Sequence, residues 1–243
     1  MQLDLLAIGV HPDDIELSCA GTLIRHIADG RRVGLFDLTR GELGSRGTVQ
    51  TRNEEAENSR RLMGAAVRVN ADMRDGFFQH TEENVRKIIT VLRRYRPKIV
   101  LANAVVDRHP DHGRAAKLIA DACYYSGLSA IETTEADGTA QEKWRPDVVY
   151  HYIQDYHQQP DFVVDISEVF EQKMRCVRAF KTQFHQGDEA AEADLPSTPI
   201  SGADFAKFLE ARAREFGRPA GFELAEGFVV NRLLGVTDLF ALR

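Results

Sequence analysis

The sequence predicts an α/β fold built on a mainly parallel sheet with helices on both faces. Three observations lead there. Short apolar runs of strand length alternate with longer amphipathic segments along most of the chain. The first apolar run, Leu3–Val10, ends on His11-Pro12-Asp13-Asp14-Ile15-Glu16. A later run, Ile99–Ala104, ends on Arg108-His109-Pro110-Asp111-His112. Open α/β sheets place their ligands just outside the carboxyl ends of the strands, where the strand order reverses. A Rossmann-like order makes the first and fourth strands neighbours, which brings the two His/Asp clusters together.

Each element has its own signal. Leu3–Val10 reads as a buried strand. Glu16–Gly30 follows as a helix, with Leu17, Ala20, Leu23, Ile24 and Ile27 at helical spacing and Gly30 as its stop. Arg32–Thr39 is a second strand. Three glycines within Gly41–Gly47 make that stretch a loop. Thr51–Gly64 is a helix: Thr51 and Glu54 have the spacing of a capping box, and Gly64 ends it. Val67–Ala71 is a short third strand. Thr81–Tyr95 is an amphipathic helix with Val85, Ile88, Ile89 and Leu92 on one face. Pro97 interrupts it and leads into strand Lys98–Asn103.

The next helix begins near His109–Asp111 and runs to about Ser126, turning Ala115, Leu118, Ile119 and Ala122 inward. Glu132–Lys143 is polar and irregular. Asp147–Ile153 and Phe162–Ile166 are strands rich in β-branched residues. Ser167–Phe180 is a helix with Ser167 as its cap. Gly187–Ser201 is a loop around Pro196 and Pro199, and a helix then runs from Ser201 or Asp204 to about Phe216. Gly221–Arg243 has a mixed pattern.

A chain of 243 residues fits one domain, 1–243. The net charge of −6 argues against a nucleic-acid or anionic-membrane binder, and leaves room for a local basic pocket. No apolar stretch approaches the ~18 residues of a membrane span. No charged, apolar leader with a cleavage site opens the chain. Cys19, Cys123 and Cys176 are scattered and odd in number, as expected of buried thiols in a reducing cytoplasm.

Asp13 and Asp14 are adjacent carboxylates that repel each other, so a cation is expected between them and the imidazoles. Zinc accepts neutral imidazole and carboxylate ligands and keeps an open position in catalytic sites. His11 and His112 provide two ligands and one of Asp13 or Asp14 the third. Spacing alone does not choose between these two; the remaining carboxylate is free to act as a general base. His109 lies three residues before His112, on the same face of a starting helix, and is free to serve as an acid or an oxyanion donor. Asp111 is placed behind His109, to favour its charged form. Glu16 reads as a first-turn carboxylate favoured by the helix dipole. His26, His80, His151, His157 and His185 lack partners at ligand spacing and read as surface or core histidines.

At these motifs the sequence resembles the zinc-dependent PIG-L/LmbE-like deacetylases, which have a His-Pro-Asp-Asp turn after the first strand and a later His-x-x-His. Leu38-Thr-Arg-Gly-Glu-Leu-Gly44, Gly47-Thr48, Arg108–Leu118 and Glu210–Gly217 narrow the resemblance to the bacillithiol-biosynthesis branch, whose members deacetylate N-acetylglucosaminyl malate. The resemblance implies His11, Asp14 and His112 as Zn2+ ligands, with Fe2+ as another ion for the same set. It implies Asp13 as general base, His109 as general acid or oxyanion stabiliser with Asp111 behind it, and Arg52 and Arg108 as substrate-binding residues. It further implies a homo-oligomer, a trimer or hexamer, acting on a small amino sugar; the cytoplasmic location is the expectation from the cysteines and the apolar pattern above. Some relatives place a tyrosine over the metal; before Ala225 this chain has Leu224.

Two rivals share the ligand set. A non-haem iron oxygenase also uses two His and one carboxylate, but has no role for an extra base and acid. A sugar-binding module with a structural ion would close the site with a fourth ligand.

Overall fold

The structure is a computed structural model and describes residues 1–185, 187 and 195–241. Seven strands form one sheet: β1 (Leu5–Gly9), β2 (Val33–Thr39), β3 (Val67–Met73), β4 (Ile99–Ala102), β5 (Val148–Tyr152), β6 (Phe162–Asp165) and β7 (Ala225–Val229). Their order is β3-β2-β1-β4-β5-β7-β6. The first five are parallel along the sheet, and β7 runs antiparallel between β5 and β6. β1 pairs on one side with β2 and on the other with β4, so the strand order reverses at β1, as the sequence requires.

Among the described residues the α-helices are α1 (Asp14–Ala28), α2 (Val49–Met63), α3 (Glu82–Tyr95), α4 (Pro110–Tyr125), α5 (Phe170–Arg178) and α6 (Phe205–Gly217). Successive residues of a strand face opposite sides of a sheet, and both sides of this one are covered. Leu6, Ile8, Phe36 and Leu38 pack on Ile88, Leu92, Leu118 and Ile119 of α3 and α4. Leu5, Ala7, Val33 and Leu35 pack on Ile15, Cys19 and Leu23 of α1. This two-sided burial is why the strands read as continuous apolar runs. The three cysteines are buried and free.

Two expectations need correction. The capping box of α2 is Thr48 with Thr51, not Thr51 with Glu54: Thr48 Oγ1 accepts from Thr51 N, and Thr51 Oγ1 accepts from Thr48 N. Gly47 takes φ 76 and lets the chain enter the helix a turn earlier. Ser167 does not cap α5; it opens a 3-10 turn, Ser167–Val169, and its hydroxyl bonds Asp165 instead. Glu16 lies in the first turn of α1, as expected, and is fully buried there, with its Oε1 accepting from Arg68 at 2.6 Å and Ser59 at 2.7 Å. Strand β7 has no clear sequence pattern, because buried Glu226 interrupts its apolar run to meet Lys173 at 2.6 Å.

Parts of the loop 187–201 and of the tail, residues 188–194 and 242–243, lie outside the described residues. No helix among the described residues is long and apolar enough to cross a membrane.

Candidate active site

The chain leaves β1 and turns into α1 around its own carboxylate. Val10 N and His11 N both donate to Asp14 Oδ2, at 3.0 and 2.9 Å. Asp13 is held at φ 140, ψ −23, a region costly to a residue with a Cβ. Beyond β4, Asn103 Nδ2 donates to the same Asp14 oxygen at 3.0 Å. The 104–109 segment then enters α4, with His109 as N-cap and Pro110 at the first helical position.

Three imidazoles meet here. Ring centroids are 4.7 Å apart for His11 and His109, 5.1 Å for His109 and His112, and 5.7 Å for His11 and His112. His112 Nε2 is 3.2 Å from Asp14 Oδ1, and His11 Nδ1 is 3.7 Å from Asp14 Oδ2. The other nitrogen of each ring is held by a further carboxylate: Asp75 Oδ1 lies 3.0 Å from His11 Nε2, and Asp107 Oδ2 lies 2.5 Å from His112 Nδ1. Metal-binding imidazoles are oriented in this way, with a carboxylate on the nitrogen away from the ion. The expected ligands His11, Asp14 and His112 are therefore neighbours with their far sides braced. Two groups among the described residues have ligand atoms all within 4.8 Å of one another, His11/His109/His112 and His11/Asp75/Asp111; Asp14 belongs to neither and meets the imidazoles through the separate contacts to His11 and His112. Two imidazoles and a carboxylate suit zinc and iron(II) alike.

The charges sort the two neighbouring carboxylates. Burial pushes Asp13 up to about 7, together with the Asp14 charge and against the pull of Arg52. Burial acts on Asp14 in the same direction, but the charge of His112 and hydrogen bonds from both histidines hold it well below the usual carboxylate range. Burial also opposes the charged form of His112, yet Asp14 and Asp107 raise its pKa to about 9. His109 is lowered by burial and by the charges of His11 and His112.

Asp111 corrects an expectation. Its carboxylate does not bond the His109 ring. It accepts from Gly76 N and Arg114 Nη1, both at 2.9 Å, and lies 3.7 Å from His11 Nε2. Its backbone N–H donates to His109 Nδ1 at 3.3 Å, the ordinary helix-cap contact. A neutral His109 accepting at Nδ1 carries its proton on Nε2.

Arg52 is 5% exposed; its Nη2 donates to Pro12 O at 2.7 Å and lies 3.3 Å from Asp13 Oδ2. Glu55, one turn along α2, accepts instead from Thr182. Arg108 is half-exposed and donates through Nε to Asp155 at 2.6 Å. Both arginines line a cavity of about 240 Å³ with His11, Asp13, Asp14, His109 and His112. Gly41, Leu43 and Gly44 of the glycine-rich loop line it too.

Sequence reasoning missed Asp75, Asp107, Asn103 and Gln154. Asn103 and Gln154 stand just beyond β4 and β5, and that strand-end position is their only signal. Asp107 carried a stronger one, five residues before His112 at the edge of the second cluster.

Residues 6–123 match the PIG-L family, described as GlcNAc-PI de-N-acetylase. The chain is 28% identical to the diacetylchitobiose deacetylase of Thermococcus kodakarensis, over 92% of this chain and 81% of that protein. It is 34% identical to a conserved protein of known structure from Thermus thermophilus, with a TM-score of 0.83 over 97% of this chain and 98% of that one. The N,N'-diacetylchitobiose deacetylase of Pyrococcus horikoshii, solved with its inhibitor, shares the fold at 24% identity and a TM-score of 0.78, over 97% and 88% of the two chains. With the His-Pro-Asp-Asp turn and the His-x-x-His helix start folded into one pocket, this chain belongs to the PIG-L family of deacetylases.

Proposed function

We propose that this chain is a divalent-metal-dependent de-N-acetylase that hydrolyses the acetamide of an N-acetylglucosamine-type sugar, and that N-acetylglucosaminyl malate is its substrate. The observation that carries this reading is geometric: His11, Asp14 and His112 stand together, both rings braced by further carboxylates, in a pocket of sugar-ring scale with the buried Asp13 carboxyl beside them, its pKa pushed up by burial. A base is most useful when its pKa lies near the working pH.

His11, Asp14 and His112 would hold the ion, proposed to be Zn2+. When bound, it supplies Lewis-acid polarisation of the acetamide carbonyl and of water. Asp13 accepts the proton of the attacking water as the new C–O bond forms. His109 donates a hydrogen bond from Nε2 to the oxygen of the tetrahedral carbon, since its Nδ1 is engaged by the Asp111 N–H. Its lowered pKa suits a neutral donor better than a general acid. Asp13 then returns its proton to the sugar nitrogen, the C–N bond breaks, and acetate and the free amine leave.

The cavity of about 240 Å³ lies below the ~300–1,000 Å³ typical of sites for drug-sized ligands. One sugar ring fits that scale, with the remainder of the substrate at the mouth. There Arg108 is bonded through Nε and can offer its Nη groups to a carboxylate, which supports an acidic aglycone such as malate.

The test is acetate release from N-acetylglucosaminyl malate, with diacetylchitobiose and N-acetylglucosamine as comparators, before and after chelation and re-metallation. Turnover of the malate conjugate well above both comparators, lost on chelation, is expected. Chelator-resistant turnover would overturn the metal reading. Preference for diacetylchitobiose would overturn the malate assignment.

A further inference from the structure

Asp14 is the most heavily bonded group of the site, and its two oxygens are treated differently. Oδ2 accepts from Val10 N at 3.0 Å, His11 N at 2.9 Å and Asn103 Nδ2 at 3.0 Å. A carboxylate oxygen has about two lone-pair directions, so Oδ2 is saturated. Oδ1 accepts from Gln154 Nε2 at 2.7 Å and otherwise faces His112 Nε2 at 3.2 Å.

Gln154 follows β5 and is 5% exposed. Its Nε2 is also 3.5 Å from His112 Nε2, so one carboxamide touches two of the proposed ligand side chains. Its Oε1 is buried without a hydrogen-bond partner among the described residues. The next two residues are anchored as well: Asp155 N and Tyr156 N donate to Asp107 Oδ1 at 3.1 and 2.8 Å, while Asp107 Oδ2 holds His112. Asp107 thus locks His112 and the backbone beside Gln154 into one frame.

We propose that Gln154 is a positioning residue of the metal site: its carboxamide occupies one lone pair of Asp14 Oδ1 and leaves Asp14 a single open direction, beside His112. The inference rests on the metal reading above. Asp14 then binds an ion through one oxygen only. A neutral amide does this without adding charge, whereas a lysine or arginine at 154 would compete with the cation for the same oxygen. With Gln154 removed, Oδ1 regains a second free direction and the carboxylate loses the amide donor that orients it.

Cobalt(II) alone tests this, with no substrate present. Gln154→Met keeps length and volume but cannot donate; Gln154→Ala gives the same reading should methionine not be accommodated. A folded variant, with a melting temperature near wild type, should bind Co2+ and Zn2+ about 10–100-fold more weakly, the usual cost of losing a group that orients a ligand. Its cobalt d–d absorption should change in position and intensity as Asp14 changes its mode of binding. Wild-type affinity with an unchanged spectrum in either folded variant overturns the role of Gln154. Wild-type protein that binds no Co2+ overturns the metal reading and this inference with it. Wild-type protein that binds Co2+ yet releases no acetate overturns the hydrolase alone, and the Gln154 comparison still stands.

Discussion

Arg52 and Asp13 form a buried pair, Nη2 to Oδ2 at 3.3 Å, with both side chains 6–7% exposed. Burial pushes the Asp13 carboxyl up, and the guanidinium is the main force restraining it, at about 7. Asp13 accepts a proton only when ionised, so kcat/KM should fall as pH drops below about 7. Arg52→Met removes the charge that lowers this pKa and should move the acidic limb to higher pH. A pH–rate profile checks both; a limb that stays in place in Arg52→Met means that another group is the base.

The braced ligand set separates four variants. Asp14→Ala and His112→Ala should lose bound metal. Asp13→Ala and His109→Ala should keep a full equivalent and lose turnover, the former by ~10²–10⁴-fold, the usual range for a missing base. Metal analysis of the purified proteins, paired with kcat, decides. Metal loss from His109→Ala would favour the His11/His109/His112 grouping instead.

Substrate charge should register at Arg108 rather than at Arg52. Arg108→Ala should raise KM for N-acetylglucosaminyl malate by about tenfold, or ~1.4 kcal/mol, with little effect on neutral diacetylchitobiose. Arg52 variants should slow both substrates, because Arg52 bonds Asp13 and Pro12. Equal loss on both substrates in Arg108→Ala would remove the support for an acidic aglycone.

Beneath the pocket, Arg68 joins Glu16 and Asp37, each at 2.6 Å, with all three side chains at most 6% exposed. Arg68→Met leaves two buried carboxylates unpaired and should cost about 3–5 kcal/mol, the range for breaking a buried pair. Denaturant unfolding measures it. A loss under ~1 kcal/mol would mean that the carboxylates take up protons on losing their partner.

The parts of the molecule that repeat a period were legible in its sequence. Leu5–Gly9 and Ile99–Ala102 are buried on both faces, and their runs of apolar residues place His11 and His112 together through strand order alone. Positions whose partners are remote in the chain were not legible. Asp75 reaches His11 across 64 residues, and Gln154 reaches Asp14 across 140; a place just past a strand end is all that marks either residue, and it names no partner. Strand β7 was hidden for a similar reason. Glu226 serves Lys173 and the Gly21 and Thr22 amides of α1, so its charge falls where a strand pattern calls for an apolar residue.

The backbone at Asp13, at φ 140, has a consequence for how this protein responds to selection. Glycine takes such a conformation without steric cost, whereas aspartate holds it at an expense of roughly 1–3 kcal/mol. Asp13→Gly therefore relieves local tension and removes a buried acid in one step. Because Asp13→Gly alone strands the buried Arg52 guanidinium, a library of random variants screened only for heat resistance would gather glycine at position 13 together with an apolar residue at 52, and those survivors would be inert. Directed evolution of a hardier form has to score turnover in every round, because here robustness and chemistry draw on the same residue in opposite directions.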